Sequence, residues 1–346
     1  MTTPARVAVL SFAHYHANFW AEVFKASPLA TLTALWDDDD TRGRAAAATH
    51  GAHFDPDLDH VLAGCDAVAI CSETAQHAPL IERAARAGCA ILCEKPLAAS
   101  LADCSRISRA IAGANLVFMQ SFPKRFDPVN HELKRRLDAK EFGRIGLVRI
   151  RHGHYYGRDA AFVSSWHANP AMSGGGALLD EGVHGADFLR WMFGEPVAVS
   201  AIRSSAMLGL EVEDLAIATY RYADGMVAEL TAGWNFVAAE NSIEIYGEHG
   251  SALVGGVDLA SKDFCDNGWL KTYSGGERRW QVSDTVPRFK TGGFHQQNAL
   301  AFIDALASGK PPPITFDDGA RAVAMILAAY EAATLGREVE IRYTDH

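Results

Sequence analysis

The sequence predicts an α/β protein with two domains: an N-terminal doubly wound parallel sheet, and a C-terminal α/β domain built on an open, mostly antiparallel sheet. The length of 346 residues exceeds what a single hydrophobic core usually organises. The first third of the chain alternates short apolar runs with helical patterns, whereas strand-like runs follow one another after about residue 122. We therefore place the domains at 1–122 and 123–346.

The alternation in the first domain predicts parallel strands joined by helices. Apolar runs at 7–10, 30–36, 67–71 and 90–93 have the length of buried strands. Helical patterns follow three of them, at 17–26, 41–50 and 78–87. A strand, helix, strand order gives parallel pairing through right-handed crossovers.

The second domain shows a different order of elements. Strand-like runs at 216–222, 226–234, 242–246 and 251–254 are separated by glycine turns, which is typical of antiparallel hairpins. Helices are expected after Pro128 and at 184–193 and 319–335. An open sheet with one apolar face has to be covered, so we expect a homodimer or homotetramer.

Composition excludes several classes of protein. A formal net charge of −10 and a pI near 5.8 argue against binding to nucleic acid, which requires a basic face. No apolar run approaches the roughly 20 residues of a membrane-spanning helix. The start, MTTPARVAVLSF, lacks the pattern of a signal peptide, so we expect a cytoplasmic protein. The six cysteines form no Cys-x-x-Cys pair, and we expect reduced, buried thiols.

The turn after the first strand is the expected place for a dinucleotide phosphate. Such turns normally carry G-x-G-x-x-G, but all three glycines are replaced in the run Ser11-Phe12-Ala13-His14-Tyr15-His16. Ala13 adds only a methyl group, and the N–H groups at the start of the next helix still favour an anion. An ordinary strand-to-helix turn is the alternative.

The end of the second strand indicates which cofactor is preferred. Asp37 lies where dinucleotide folds place an acidic residue against the ribose hydroxyls, and three more aspartates follow it. Their negative field opposes a ribose 2′-phosphate, so we expect NAD, with NADP less favoured. Alternatively, the acidic run caps the next helix, and Arg42 or Arg44 still reaches a phosphate.

Three motifs in order carry a resemblance to a known family. The chain contains Ser72-Glu73 with His77, then Glu94-Lys95-Pro96, and later Asp180-Glu-Gly182-Val-His184 after a glycine-rich run. Together these motifs resemble the Gfo/Idh/MocA oxidoreductases, and the similarity extends over nearly the whole chain. The Glu-Lys-Pro triplet is weakly specific alone, whereas the ordered set is strongly specific. Glu73 and the missing glycines depart from the usual family pattern.

The resemblance implies an NAD-binding Rossmann domain and a second domain for substrate binding and oligomerisation. It implies hydride exchange between nicotinamide and a carbinol or keto carbon of a sugar, sugar acid or cyclitol. His184 would accept the proton of the carbinol hydroxyl, and Lys95 would polarise the oxygen of that hydroxyl. Asp180 would orient the His184 imidazole or the substrate hydroxyls. A non-catalytic nucleotide-binding sensor is the main alternative, and a carbon–carbon double-bond reductase is a further one.

The candidate residues fall into a cofactor set and a substrate set. The cofactor set is Ser11, Phe12, Ala13, His14, His16, Asp37, Ser72, Glu73, His77, Glu94 and Lys95. The substrate set is Lys95, Lys124, Arg125, His154, Tyr155, Trp166, His167, Asp180 and His184. So many polar side chains predict a neutral or weakly anionic polyhydroxylated ring, because an apolar alcohol would leave them unpaired.

Each candidate also has a purely structural interpretation. Asp180 and His184 are four residues apart and share one face if the segment is helical, yet a helix cap and a core histidine are the alternatives. Without the resemblance, Lys95 would be a loop lysine before a proline. The His14-x-His16 and His152-x-His154 pairs put two imidazoles on one face of a strand. No carboxylate or cysteine at suitable spacing completes a site, so we expect no metal.

Overall fold

A computed structural model describes residues 3–114, 116–236, 243–255 and 268–343 of the chain. Contacts divide these residues into two compact units. Among the described residues, the first unit comprises 3–123 (without 115) and 295–320, and the second comprises 124–294 (without 237–242 and 256–267) and 321–343. The return of 295–320 to the first unit is not visible in the sequence pattern, and the division at residue 122 stays a prediction.

Helices account for most of the connections. Their bounds are α1 His16–Ala26, α2 Asp40–His50, α3 Leu58–Ala63, α4 His77–Arg86, α5 Leu101–Ala114, α6 Pro128–Asp138, α7 Ala160–Val163, α8 Pro170–Ser173, α9 Val183–Phe193, α10 Arg288–Thr291, α11 Gln296–Ser308 and α12 Phe316–Leu335. Short 3₁₀ turns lie at Thr74–Gln76, Pro123–Phe126, Tyr156–Arg158 and Trp166–Ala168, and a π-helical turn lies at Leu178–Gly182.

The first unit contains a five-stranded parallel sheet in the order β2-β1-β3-β4-β5. Its strands are β1 Ala5–Leu10, β2 Ala30–Trp36, β3 Ala67–Ile70, β4 Ala90–Cys93 and β5 Phe118–Gln120. The predicted doubly wound sheet is therefore confirmed. The strand order reverses between β1 and β3, and in such sheets ligands bind beyond the carboxyl ends of the strands at this switch point.

The second unit contains a nine-stranded sheet in the order β13-β12-β11-β10-β6-β9-β8-β7-β14. Its strands are β6 Ile145–Gly153, β7 Ala198–Ser204, β8 Leu215–Arg221, β9 Val227–Gly233, β10 Ile243–Gly247, β11 Gly250–Val254, β12 Leu270–Ser274, β13 Arg279–Val282 and β14 Val339–Glu340. Only the β6 and β9 pair is parallel among these described strands. The prediction of a mostly antiparallel sheet is confirmed.

Residue burial shows where the second sheet is covered. Val148, Ile150 and Leu230 are buried on the face against which α9 packs. The opposite face exposes large apolar side chains, including Ile202 at 74% and Trp280 at 50%. The sheet thus has the open face that the sequence predicts.

Two further expectations concern the chain as a whole. Within the described residues, no helix combines the length and apolar character that crossing a membrane demands. Cys65, Cys71, Cys89, Cys93 and Cys104 are buried free thiols, as expected. Cys265 and Ser242, the first residue of one predicted strand, lie outside the described residues.

Candidate functional site

The turn after β1 contains no glycine, yet one of its residues adopts a backbone conformation that usually requires glycine. Ser11 occupies the left-handed region at φ 70°, which costs a residue with a Cβ roughly 1–2 kcal/mol. Its Oγ accepts the Ala13 N–H at 3.2 Å, and the His14 N–H donates to Cys71 O at 2.9 Å. These bonds hold the turn against the end of β3, at the switch point of the sheet. The backbone path therefore fits a dinucleotide turn, although the three glycines are absent.

Asp37 directly follows β2, and both of its carboxylate oxygens accept hydrogen bonds. Its Oδ2 accepts the Phe12 N–H at 2.7 Å, and the Arg42 guanidinium donates to Oδ1 at 2.7 Å. Arg42 also donates to Asp38 Oδ1 at 2.8 Å and to Ser11 Oγ at 3.2 Å. Asp37 thus joins the turn to α2, and Arg42 covers its carboxylate.

Both interpretations of the acidic run have structural support. Asp39 caps α2, because its side chain accepts the N–H groups of Thr41 and Arg42. Arg44 pairs with Asp40 at 3.1 Å. Asp37 alone lies beside the turn after β1, which is the arrangement that a ribose-binding acid requires.

The ends of β3 and β4 are tied together by a histidine. His77 is buried, with Nδ1 2.9 Å from Pro96 O and Nε2 3.2 Å from Ser72 O. Burial lowers the pKa of His77, while these two carbonyl oxygens favour its protonated form. The ring fixes the turn that carries Lys95, whose side chain is buried and whose bond to Pro96 is cis. His77 therefore supports the turn itself.

A buried histidine cluster lies under the first turn of α1. His16 Nδ1 is 3.1 Å from Glu94 Oε1, and its ring lies 3.8 Å from the ring of His295 and 4.2 Å from that of His14. Burial raises the pKa of Glu94. His14 and His16 lie in a turn and a helix, so the expectation that they share a strand face is wrong.

In the second unit, a buried glutamate holds the segment that carries Asp180. Glu213 accepts the N–H groups of Gly176 at 3.2 Å and Leu178 at 2.9 Å, and the Tyr330 hydroxyl at 2.7 Å. Burial raises the pKa of Glu213. A Cβ on Gly176 would lie 2.0 Å from Glu213 O, so glycine is required at this close approach. Sequence reasoning missed Glu213, because its partners lie about 35 residues away or more.

Asp180 and His184 do not share a regular α-helix. Asp180 belongs to the π-helical turn Leu178–Gly182, whereas His184 lies in the first turn of α9. The four-residue spacing therefore does not have the geometry of one helical face. Such π turns occur frequently at functional sites.

The π turn brings two carboxylates to the ends of β6 and β9. Trp234 donates its Nε1–H to Asp180 Oδ2 at 3.0 Å, and His154 Nε2 lies 4.0 Å from the same oxygen. His152 Nε2 lies 2.9 Å from Glu181 Oε2. Trp234 and Glu181 were not among the predicted site residues. The sequence signals that could have identified them are the position of Trp234 after β9 and the position of Glu181 within the Asp-x-Gly-x-His motif.

Aromatic side chains pack against the residues that contact this carboxylate pair. The Phe162 ring is edge-on to Trp234 at 5.1 Å and to His154 at 5.5 Å. His167 stacks on Phe162 at 4.8 Å, and Trp166 stacks on His167 at 3.9 Å. Tyr155 is half-buried at the start of the neighbouring 3₁₀ turn. Aromatic faces of this kind pack against the C–H side of a ring.

The two predicted cations beside this region differ in their surroundings. Arg125 is held by Asp187 through two bonds of 2.6 and 2.9 Å, and its guanidinium lies over Trp191. This two-fold pair gives Arg125 a structural role. Lys124 lines a small cavity together with Arg151 and His152. The contact of Lys124 with substrate stays a prediction.

The argument from spacing against a metal is wrong, because the fold supplies distant carboxylates. Glu94 joins His14 and His16, and Asp180 and Glu181 join His154, with one candidate ligand atom from each residue within 4.8 Å of the others. However, Nδ1 of His14 and of His154 each accepts a backbone N–H, at 3.3 and 3.1 Å. The proton of each neutral ring is then on Nε2, which favours donation over ligation. The expectation of no metal stays a prediction.

The Glu213 contacts predict a large effect on folding stability. Glu213→Ala leaves the Gly176 N–H, the Leu178 N–H and the Tyr330 hydroxyl without this acceptor, and each buried unsatisfied group costs about 1–3 kcal/mol. We expect thermal or denaturant unfolding to show a loss of roughly 3 kcal/mol or more. Glu211→Ala, at an exposed position, is the matched control. Equal stability of the two variants would contradict this role.

Comparison with known proteins gives consistent matches over both units. A family model described as "Oxidoreductase family, NAD-binding Rossmann fold" matches residues 6–122, and one described as "GFO/IDH/MocA C-terminal domain" matches residues 130–253. The chain is 29% identical over 315 residues to inositol 2-dehydrogenase 2 of Saccharopolyspora erythraea, which covers 89% of this chain and 86% of that protein. Levoglucosan dehydrogenase of Pseudarthrobacter phenanthrenivorans is 27% identical, covering 83% and 81%.

Solved structures share the fold. An aldose-aldose oxidoreductase from Caulobacter crescentus superposes with a TM-score of 0.82 at 24% identity, covering 97% of this chain and 99% of that one. GenD2 from gentamicin A biosynthesis, solved in complex with NAD, gives 0.81 at 26% identity, covering 99% and 97%. With both family models matched in order along most of its length, the chain belongs to the GFO/IDH/MocA family of NAD-binding oxidoreductases.

Proposed function

We propose that this oxidoreductase transfers hydride between NAD and a carbinol carbon of a polyhydroxylated ring, such as a sugar, sugar acid or cyclitol. The observation that carries the substrate class is the surroundings of Asp180. Its carboxylate accepts the Trp234 Nε1–H and lies 4.0 Å from His154 Nε2, and the Phe162 ring packs edge-on against both of these partners. Hydroxyl groups require such polar partners, and the C–H face of a ring packs on such aromatic surfaces.

The relatives support the same substrate class. Among them are proteins named inositol 2-dehydrogenase and levoglucosan dehydrogenase. Their names describe a cyclitol and an anhydrosugar as the compounds oxidised. We extend that class to this chain, because its candidate substrate residues are rich in hydrogen-bonding groups.

The proposed chemistry assigns one task to each of three side chains. Lys95 polarises the carbinol oxygen and stabilises the negative charge that develops there. His184 accepts the hydroxyl proton, and Asp180 orients the imidazole or the substrate hydroxyls. NAD supplies the acceptor for the two electrons and the hydrogen that leave the carbinol carbon. Asp37 and the turn from Ser11 to His16 are the proposed cofactor contacts.

The substrate proposal is tested with a panel of cyclitols, sugars, sugar acids and simple secondary alcohols, with NADH absorbance as the readout. We expect the highest kcat/KM for a neutral polyhydroxylated ring, since Arg125 is already paired with Asp187. Sugar acids remain in the panel because Lys124 lines the cavity beside His152. Best activity with an aliphatic or aromatic alcohol, and none with polyols, would disprove this substrate class.

We also propose that the chain forms a homodimer or homotetramer through the open face of the second sheet. Register places Trp280, Tyr273, Ser251, Tyr246 and Leu147 in one row across five strands. Three of these large side chains are exposed by 36% or more: Leu147, Tyr246 and Trp280. Light scattering at micromolar concentration should show an oligomer that Trp280→Lys weakens. A strictly monomeric wild-type protein would rule out this assembly.

A further inference from the structure

One carboxylate in the second unit bridges two imidazoles and is not explained by the proposed chemistry. Glu181 Oε2 lies 2.9 Å from His152 Nε2, and Glu181 Oε1 lies 3.5 Å from His154 Nε2. All three side chains are largely buried, with exposures of 13%, 7% and 7%. Each oxygen of this carboxylate therefore faces a different histidine.

Local structure explains why these groups meet. His152 and His154 flank Gly153 at the end of β6, so their side chains project to the same side. A Cβ on Gly153 would lie 2.1 Å from Gly233 O, and glycine thus permits the close approach of β6 to β9. The π turn then presents Asp180 and Glu181 together to the two imidazoles.

The bridge leads on each side to a proposed catalytic residue. The His152 ring is edge-on to the His184 ring, with centroids 5.4 Å apart and planes at 89°. His154 Nε2 lies 4.0 Å from Asp180 Oδ2. Glu181 is therefore connected through one histidine to His184, and through the other to Asp180.

The tautomer of His154 determines that this ring is the donor in its contact with the carboxylates. Its Nδ1 accepts the Tyr156 N–H at 3.1 Å, so the neutral ring carries its proton on Nε2 and donates towards the carboxylates. Glu181 is the nearer of the two carboxylates, at 3.5 Å against 4.0 Å for Asp180. An amide at this position would carry no negative charge and would offer an acceptor oxygen to only one of the two rings.

We propose that Glu181 is a positioning residue, which orients His152 against His184 and His154 beside Asp180 and places a negative charge next to these imidazoles. The inference rests on the proposed function for its catalytic consequence. Charged groups facing the cluster are Asp180 from the π turn, His184 from α9, and Lys124 and Arg151, which line the cavity beside His152. Glu181 supplies the negative charge nearest to His152, in β6, and to His154, which follows that strand.

The first test compares the pH profile of kcat/KM for Glu181→Gln with that of the wild-type protein. A carboxylate raises the pKa of a neighbouring imidazole, so its removal lowers that pKa. Oxidation needs the base unprotonated, and the acid limb should therefore move to lower pH, by about half a unit to one unit. We expect kcat to fall about tenfold, while the KM for NAD stays unchanged, because the altered contacts lie around the proton acceptor.

Two variants separate positioning from folding. Glu181→Asp keeps the charge but shortens the side chain, so the acid limb should return towards its wild-type position while kcat stays reduced. Glu338→Gln removes an exposed carboxylate paired with Arg221, and its profile should match the wild type. A Glu181→Gln profile that coincides with the Glu338→Gln profile would overturn the inference.

A second measurement does not depend on turnover. NMR titration of the imidazole C–H resonances should show a lower pKa for His152 in Glu181→Gln than in the wild-type protein. Unchanged histidine titrations overturn the inference, whatever the activity. Altered titrations in a protein that oxidises no carbinol would instead remove the proposed function, and they would confirm the electrostatic part of the inference.

Discussion

His184→Ala and Lys95→Ala should each lower turnover by about a hundredfold or more on a verified substrate, the usual scale for loss of a positioned acid–base group. His184 is the proposed proton acceptor, and Lys95 the proposed stabiliser of the developing alkoxide. Both side chains are buried, with exposures of 7% and 3%, so each loss removes a group held in a fixed environment. Steady-state kcat and KM for the substrate are the measurement.

Matched controls separate chemistry from general damage. His53→Ala and Lys25→Ala remove exposed residues of the same types and should retain wild-type turnover. Thermal unfolding and NAD titration should show that the His184→Ala and Lys95→Ala proteins still fold and bind cofactor. Wild-type turnover in either of these two variants would disprove its catalytic role.

Asp37→Ala should shift the ratio of NAD to NADP affinity by about tenfold or more towards NADP. A tenfold shift corresponds to about 1.4 kcal/mol, which is within the range expected for losing one charged interaction. The wild-type carboxylate opposes a 2′-phosphate and holds Arg42 through bonds of 2.7 to 3.0 Å. Its removal releases the guanidinium, which can then pair with phosphate. Titration with NAD and with NADP gives the ratio of the two affinities. This ratio is insensitive to damage of the turn that weakens both cofactors equally.

Two further variants define the origin of that shift. Asp40→Ala removes an exposed aspartate that pairs with Arg44, and it should leave the ratio nearly unchanged. Adding Arg42→Ala to Asp37→Ala should abolish the gain in NADP binding. Equal affinity of the wild-type protein for NAD and NADP would refute the role of Asp37 in cofactor choice.

The sequence predicts the first sheet well, because parallel strands bury both faces and appear as continuous apolar runs. The runs that became β2 and β4 match the structure residue for residue. The short strand β5 went unpredicted in the first unit, and β6, β7, β12, β13 and β14 went unpredicted in the second. The missed strands of the second unit lie on a half-exposed sheet, where polar residues interrupt the apolar runs, and β6 carries three arginine or histidine side chains that weaken the pattern.

The candidate site was less predictable than the fold, because its contacts join residues that are distant in sequence. The partner of Asp180 is Trp234, 54 residues later, and the carboxylate beside His16 is Glu94, 78 residues later. Spacing along the chain contains no signal for either pair. Ser11 illustrates a different limit: the missing glycines indicated a changed turn, yet the structure keeps a left-handed residue there and stabilises it through the serine hydroxyl.

Transfer of deuterium from a labelled carbinol to nicotinamide is the most direct test of the central claim. The protein would be incubated with NAD and a polyol from the panel that carries deuterium on the reacting carbon, and the NADH formed would be analysed by mass spectrometry. The account predicts one deuterium in NADH, formed together with the ketone, and a large loss of this product with His184→Ala. NADH without deuterium, or no NADH with any labelled polyol, would contradict it.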